Sequence, residues 1–162
     1  MTRPSVRAAA AGEPVITRSH VSWTAEHRFE AGAPGRFVTI DADAETAPGP
    51  VEMLLGAVAA CSAVDVIDIL AKRRTPVTRF SIDVVGERRS EHPRRLTGLE
   101  LTYHIEGPGI EAVHAEHAIQ LAFERYCSVG ASLAPDIDSR TVLVLNGVTR
   151  DPVRRVMWTP PR

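Results

Sequence analysis

The segment from Val51 to Lys72 constrains the fold more than any other part of this chain, because nearly all of its side chains are apolar. The pattern predicts a helix that is apolar on almost every side, and such a helix is expected to be buried centrally. The helix is predicted to end before Pro76, because proline cannot continue the helical hydrogen-bond ladder. Its most apolar stretch, Val51–Val64, spans 14 residues and contains a carboxylate, so it is predicted to be too short to cross a bilayer.

Strand patterns and one further helix surround this segment. Strands are predicted at residues 20–29, 36–43, 80–88, 96–106 and 141–145. The fourth alternates clearly and places four apolar or aromatic side chains on one face: Leu99, Leu101, Tyr103 and Ile105. A second helix is predicted at 110–126, with a face traced by Ile110, Val113, His117 and Leu121. This order predicts an α+β fold, a mostly antiparallel sheet packed on two central helices.

The length of 162 residues suits one domain or one subunit of a compact oligomer. Residues 1–18 are rich in Ala, Pro and Arg and are predicted to form a flexible extension. The folded domain is then expected over residues 19–148, and residues 149–162 are expected to form an extended C-terminal tail.

The overall charge excludes several classes of partner. The formal net charge is −1, so no nucleic-acid or membrane-surface footprint is expected. The N-terminal residues contain no apolar run of the length found in signal peptides, and we expect a cytoplasmic protein. Two cysteines in a chain of this length do not form a disulfide framework of the secreted kind.

Those two cysteines lie 66 residues apart: Cys61 is in the first predicted helix, and Cys127 directly follows the second. A reactive cysteine must be a thiolate, and a free thiol is mostly protonated at neutral pH unless a cation stabilises its charge. Asp65, one turn after Cys61, would raise the pKa of that thiol instead. The candidate cations are Arg28 and Arg36 on the N-terminal strands. The residues alone leave two readings open, a redox pair or two unpaired core thiols.

Two motifs around these cysteines resemble the OsmC/Ohr family, most closely its OsmC-like branch. The run from Pro50 to Cys61 is similar to the family's P-x-E-x-L-L-x-A-x-x-x-C helix. The run from Glu124 to Leu133 is similar to the segment that holds the family's second cysteine. The resemblance covers roughly residues 20–147.

The resemblance implies an intertwined homodimer with active sites at the subunit interface, and a thiol peroxidase that reduces organic hydroperoxides. It implies that Cys61 attacks the peroxide and that Cys127 resolves the sulfenate as a Cys61–Cys127 disulfide, with a thiol reductant restoring both. The family's assisting arginine and glutamate correspond to Arg28 and Glu52. On a regular helix Glu52 points about 180° from Cys61, so it is expected to contribute from an irregular first turn or across the dimer.

Other signals predict no metal or cofactor. Glu111 and His114 form an E-x-x-H motif, but a carboxylate-bridged di-iron site needs a second copy and the sequence has none. The residues of this motif are therefore expected to lie on a solvent-exposed helix surface. The alternative function is a non-catalytic protein that binds a small apolar ligand in the interface pocket, with the cysteines as core residues.

Overall fold

The computed structural model describes residues 14–157, so the predicted extension at 1–18 and the tail at 149–162 each lie partly outside the described residues. The chain divides into two compact units, Met1–Pro50 and Val51–Arg162. Each is presented by itself.

The described part of the first unit is a three-stranded antiparallel sheet, with β1 at His20–Ala25, β2 at Arg28–Ala33 and β3 at Arg36–Asp41. The single strand predicted at 20–29 is wrong, because the chain reverses at Glu26, which adopts a left-handed conformation (φ 47°). A second reversal uses Gly35, also left-handed (φ 74°).

The long helix α1 runs from Pro50 to Lys72 and is confirmed nearly to the residue. Val58, Ser62, Val66 and Leu70 recur at helical spacing and are completely buried. The opposite side is not covered within one chain, since Val64 is 61% exposed and Ile67 39%. By length and composition α1 could cross a membrane, a test that core helices of soluble proteins also pass. The prediction that its apolar part is too short is therefore wrong, because the apolar character continues beyond Val64.

The second unit also contains a five-stranded sheet among its described residues. Its strands are β4 at Arg79–Arg88, β5 at Leu96–Glu106, β6 at Asp138–Leu145, β7 at Val148–Thr149 and β8 at Val153–Arg155. β5 pairs antiparallel with β4 and parallel with β6, and β6 also pairs antiparallel with β7 and β8. The predicted inner face of β5 is confirmed, as all four of its side chains are buried.

The second predicted helix is shorter than expected and changes geometry. α2 spans Ala112–Leu121, a π-helical turn follows at Ala122–Tyr126, and α3 is a single turn at Ser128–Ala131. The predicted face is partly wrong: Val113 is 65% exposed, whereas Ala115, Ala118 and Ile119 are buried. The crossover from β5 to the parallel β6 thus buries small residues of α2. The α+β class is confirmed, with two separate sheets instead of one.

Candidate active site

The two cysteines come close together within one chain. Cys61 lies midway along α1 and is half-buried, whereas Cys127 is the N-cap of α3 and is 3% exposed. Both are free thiols, and they lie close enough together that the Cys61 side chain raises the pKa of the Cys127 thiol. Sequence reasoning left open whether these sulfurs meet, and the structure brings them close together.

The chain reaches this arrangement through the π-helical turn. The extra residue per turn is closed by the Cys127 N–H, which donates to the Ala122 carbonyl at 2.8 Å. Cys127 then leaves helical geometry (ψ 93°) and its thiol turns toward α1, where it donates to the Val58 carbonyl at 3.8 Å. Val58 lies one helical turn before Cys61, so this contact directs the second thiol to the first.

Gly130 permits the tight turn around the Cys127 sulfur. Its N–H donates to Cys127 Sγ at 3.3 Å, so the cysteine caps the start of α3. A Cβ at position 130 would lie 3.3 Å from the same sulfur, which is a tight contact. The absent side chain therefore allows the backbone to approach the thiol closely.

Burial keeps the Cys127 thiol protonated. Burial is the largest of the effects that raise the pKa of Cys127 to about 11. The Gly130 N–H lowers this pKa by a smaller amount, and the Cys61 side chain and the Asp65 charge raise it. The pKa of Asp65 is itself raised, by burial and by the neighbouring Asp68. Cys127 is thus a neutral thiol near pH 7, and the Asp65 charge, expected to disfavour a thiolate at Cys61, acts on Cys127.

A buried polar cluster that the sequence did not reveal lies beside the thiols. Ser62 Oγ and Tyr103 Oη are 2.5 Å apart and both residues are fully buried. Burial raises the pKa of Tyr103, and the charges of Cys127 and Arg155 also act on it. The Tyr103 hydroxyl is therefore close to both the thiol pair and a buried arginine.

That arginine, Arg155 on β8, is held by two partners. Its Nε donates to Thr141 Oγ1 at 2.8 Å and its Nη2 to Glu116 Oε2 at 2.7 Å. The guanidinium side chain is 7% exposed and that of Glu116 28%. Thr141 and Glu116 lie on β6 and α2, so Arg155 connects three elements of this unit. The two adjacent arginines of β8 carry no sequence signal that distinguishes the buried one.

The predicted helpers have the following surroundings. Arg28, on β2 in the first unit, forms an ion pair with Glu26. Arg36 is exposed at the start of β3. Glu52 is exposed in the first turn of α1, and because α1 is regular from Pro50, Glu52 projects about 180° from Cys61. Their roles at the thiol stay predictions.

Within residues 14–157, no group of three or more His, Cys, Asp or Glu side chains is placed to hold a metal ion. His117 lines a cleft with Asp65 and Asp68, but no metal site forms there.

Comparison with known proteins identifies relatives over most of the chain. A family profile described as OsmC-like protein matches residues 42–141. The chain is 34% identical over 118 residues to Protein YhfA of Escherichia coli strain K12, which covers 72% of this chain and 88% of YhfA.

Two solved structures are similar as well. A hypothetical protein from Aquifex aeolicus VF5 has a TM-score of 0.75 at 26% identity, covering 91% of this chain and 100% of that chain. An organic hydroperoxide resistance protein OsmC from Legionella pneumophila has a TM-score of 0.59 at 12% identity, covering 80% of this chain and 98% of that chain. The Legionella likeness shows the fold alone.

Proposed function

Since the chain belongs to the OsmC family, as its two cysteine motifs predicted, we propose that it is a thiol peroxidase that reduces organic hydroperoxides. The observation that carries the proposal is the proximity of two free thiols: the Cys127 thiol contacts the Val58 carbonyl one helical turn before Cys61, and the Cys61 side chain raises its pKa. The resemblance of the two cysteine motifs to the OsmC/Ohr family supports the substrate class.

Exposure and protonation support the proposed order of the two thiols. Cys61 is half-buried and open to an incoming peroxide, whereas Cys127 is 3% exposed and has its pKa raised to about 11 by burial. A buried neutral thiol is a poor first nucleophile. Cys61 is therefore the attacking residue and Cys127 the resolving residue.

The reaction then balances in two steps. The Cys61 thiolate attacks one peroxide oxygen, the O–O bond breaks, and the alcohol leaves with a proton while Cys61 becomes a sulfenic acid. The Cys127 sulfur attacks the Cys61 sulfur, the S–S bond forms, and hydroxide leaves as water with the Cys127 proton. The peroxide gains two electrons, and an external thiol reductant restores the pair by disulfide exchange.

A second copy of the chain completes the site in this proposal. The exposed side of α1 carries apolar side chains spaced alternately four and three residues apart: Met53, Ala57, Ala60, Val64, Ile67 and Ala71. This spacing is typical of a helix that packs along another helix. The homodimer places Glu52 of one chain toward the Cys61 of the other, Arg28 supplies the cation, and the dimer acts in the cytoplasm.

Thiol titration with one equivalent of cumene hydroperoxide tests the proposal. The wild type is expected to lose both thiols and release one equivalent of alcohol, because one peroxide yields one disulfide. Cys61→Ser is expected to keep its remaining thiol, and Cys127→Ser to form a sulfenic acid at Cys61 that dimedone traps. Ser128→Ala, beside Cys127 but exposed, serves as the matched control with wild-type behaviour.

If the wild-type thiols survive the peroxide, the peroxidase proposal fails and non-catalytic binding of a small ligand becomes the better reading. If Cys61→Ser reacts like the wild type, the assigned order is wrong.

A further inference from the structure

A second recess lies at the N-terminal end of α1, apart from the thiol pair. It is a cleft of about 240 Å³ within the second unit. Its floor is apolar and its rim is basic, lined by Val51, Leu54, Leu96, Leu133, Ala134, Ile137, Arg88, Arg94 and Arg95. No cysteine contributes to it.

The rim carries an unbalanced positive charge. Arg95 is neutralised by a two-point contact with Asp136, and it also donates to the Leu96 carbonyl at 3.2 Å. Arg88 donates its Nε to the Arg94 carbonyl at 2.8 Å, which leaves its terminal nitrogens unused by that bond. Among the described residues, no carboxylate forms an ion pair with Arg88 or Arg94. Two guanidinium groups therefore face the cleft without a counter-charge.

The floor fits an aliphatic chain. Leu96 and Ile137 are 7% and 8% exposed, so the bottom of the cleft is part of the packed core. Leu54 is 37% exposed, which leaves an apolar wall open to a ligand. With a volume of about 240 Å³, the cleft is large enough for a small aliphatic ligand.

We propose that this cleft binds a medium-chain aliphatic carboxylate, with the chain on the leucine and isoleucine floor and the head group on Arg88 and Arg94. Guanidinium groups bind carboxylates through charge-assisted hydrogen bonds, and the apolar floor is shielded from water when a chain covers it. The site is independent of the peroxidase chemistry, because it contains neither thiol.

Calorimetric titration of the full chain with sodium octanoate tests the site, with 1-octanol and octylammonium as probes of the head group. Octanoate is expected to bind about tenfold more tightly than octanol, because octanol lacks the charge. Octylammonium is expected to bind more weakly still. From butanoate to octanoate, each added methylene should strengthen binding about fourfold.

Arg88→Gln and Arg94→Gln are each expected to weaken octanoate about three- to tenfold and to leave octanol unchanged. Arg79→Gln, whose side chain is 80% exposed on β4, is the matched control and should bind octanoate like the wild type. Thermal unfolding of each variant confirms that it is folded. Cys61→Ser and Cys127→Ser should bind octanoate normally, which separates this proposal from the peroxidase proposal.

Equal binding of octanoate and octylammonium would overturn the proposal, as would unchanged octanoate affinity in both arginine variants. An affinity that does not depend on chain length would refute the apolar floor.

Discussion

The buried contact between Arg155 and Glu116 lends itself to a quantitative test. Removing one partner of a buried ion pair costs about 3–5 kcal/mol, because the other charge is left without compensation. In Arg155→Met the remaining carboxylate belongs to Glu116, which is 28% exposed and regains water. We therefore expect a loss of about 2 kcal/mol in the free energy of unfolding, below the fully buried range.

Removing the glutamate instead of the arginine should lower the free energy of unfolding by more. In Glu116→Leu the remaining charge is the Arg155 guanidinium, which is 7% exposed and keeps only the neutral Thr141 hydroxyl. A loss of about 3 kcal/mol is expected. The double variant Arg155→Met/Glu116→Leu removes both charges and should be no less stable than either single variant, since apolar pairs of similar volume replace buried ion pairs at little cost.

Urea unfolding of the four proteins, followed by far-UV circular dichroism, measures these values in a double-mutant cycle. Thr141→Val is the control for the hydroxyl alone and should lose about 1 kcal/mol. Additive single effects, or a Glu116→Leu variant as stable as the wild type, would contradict the argument from burial.

Three further predictions concern the surroundings of the thiols. Tyr103→Phe should lower the free energy of unfolding, measured in urea, by about 1–3 kcal/mol. The reason is that the fully buried Ser62 hydroxyl loses its hydrogen-bond partner, the Tyr103 hydroxyl, which lies 2.5 Å away. An unchanged free energy of unfolding would mean that this bond contributes nothing to stability. Burial raises the pKa of Cys127 to about 11, so the native state holds a proton that the unfolded state loses above about pH 8.5. The stability that this thiol contributes, on the order of 2 kcal/mol, is therefore present below pH 8.5 and lost as the pH rises toward 11. In Cys127→Ala the urea midpoint should no longer show this dependence on pH. Val64 lies on the exposed side of α1, and Val64→Glu should convert the proposed dimer to a monomer in light scattering. Lys72→Glu, at the end of the helix, is the control and should leave the dimer intact. A wild type that is already monomeric would refute the proposed interface.

Several parts of the fold were predictable because their signals are local. The α1 boundaries follow from an uninterrupted apolar run, and the inner face of β5 follows from strict alternation. The reversal at Glu26 was not predictable, since a non-glycine residue with positive φ leaves no clear trace in the sequence. The π-helical turn was missed for the same reason, because its residues are compatible with an ordinary helix.

The sequence by itself determined the α+β class, the central helix and the two motifs around Cys61 and Cys127, since each depends on neighbours along the chain. The tertiary structure decided that the two thiols lie close together, because proximity across 66 residues depends on the π-helical turn and on the close approach allowed by Gly130. It also decided that Arg155 is the buried arginine of β8, since strand pairing, which composition does not encode, sets which side chain points inward.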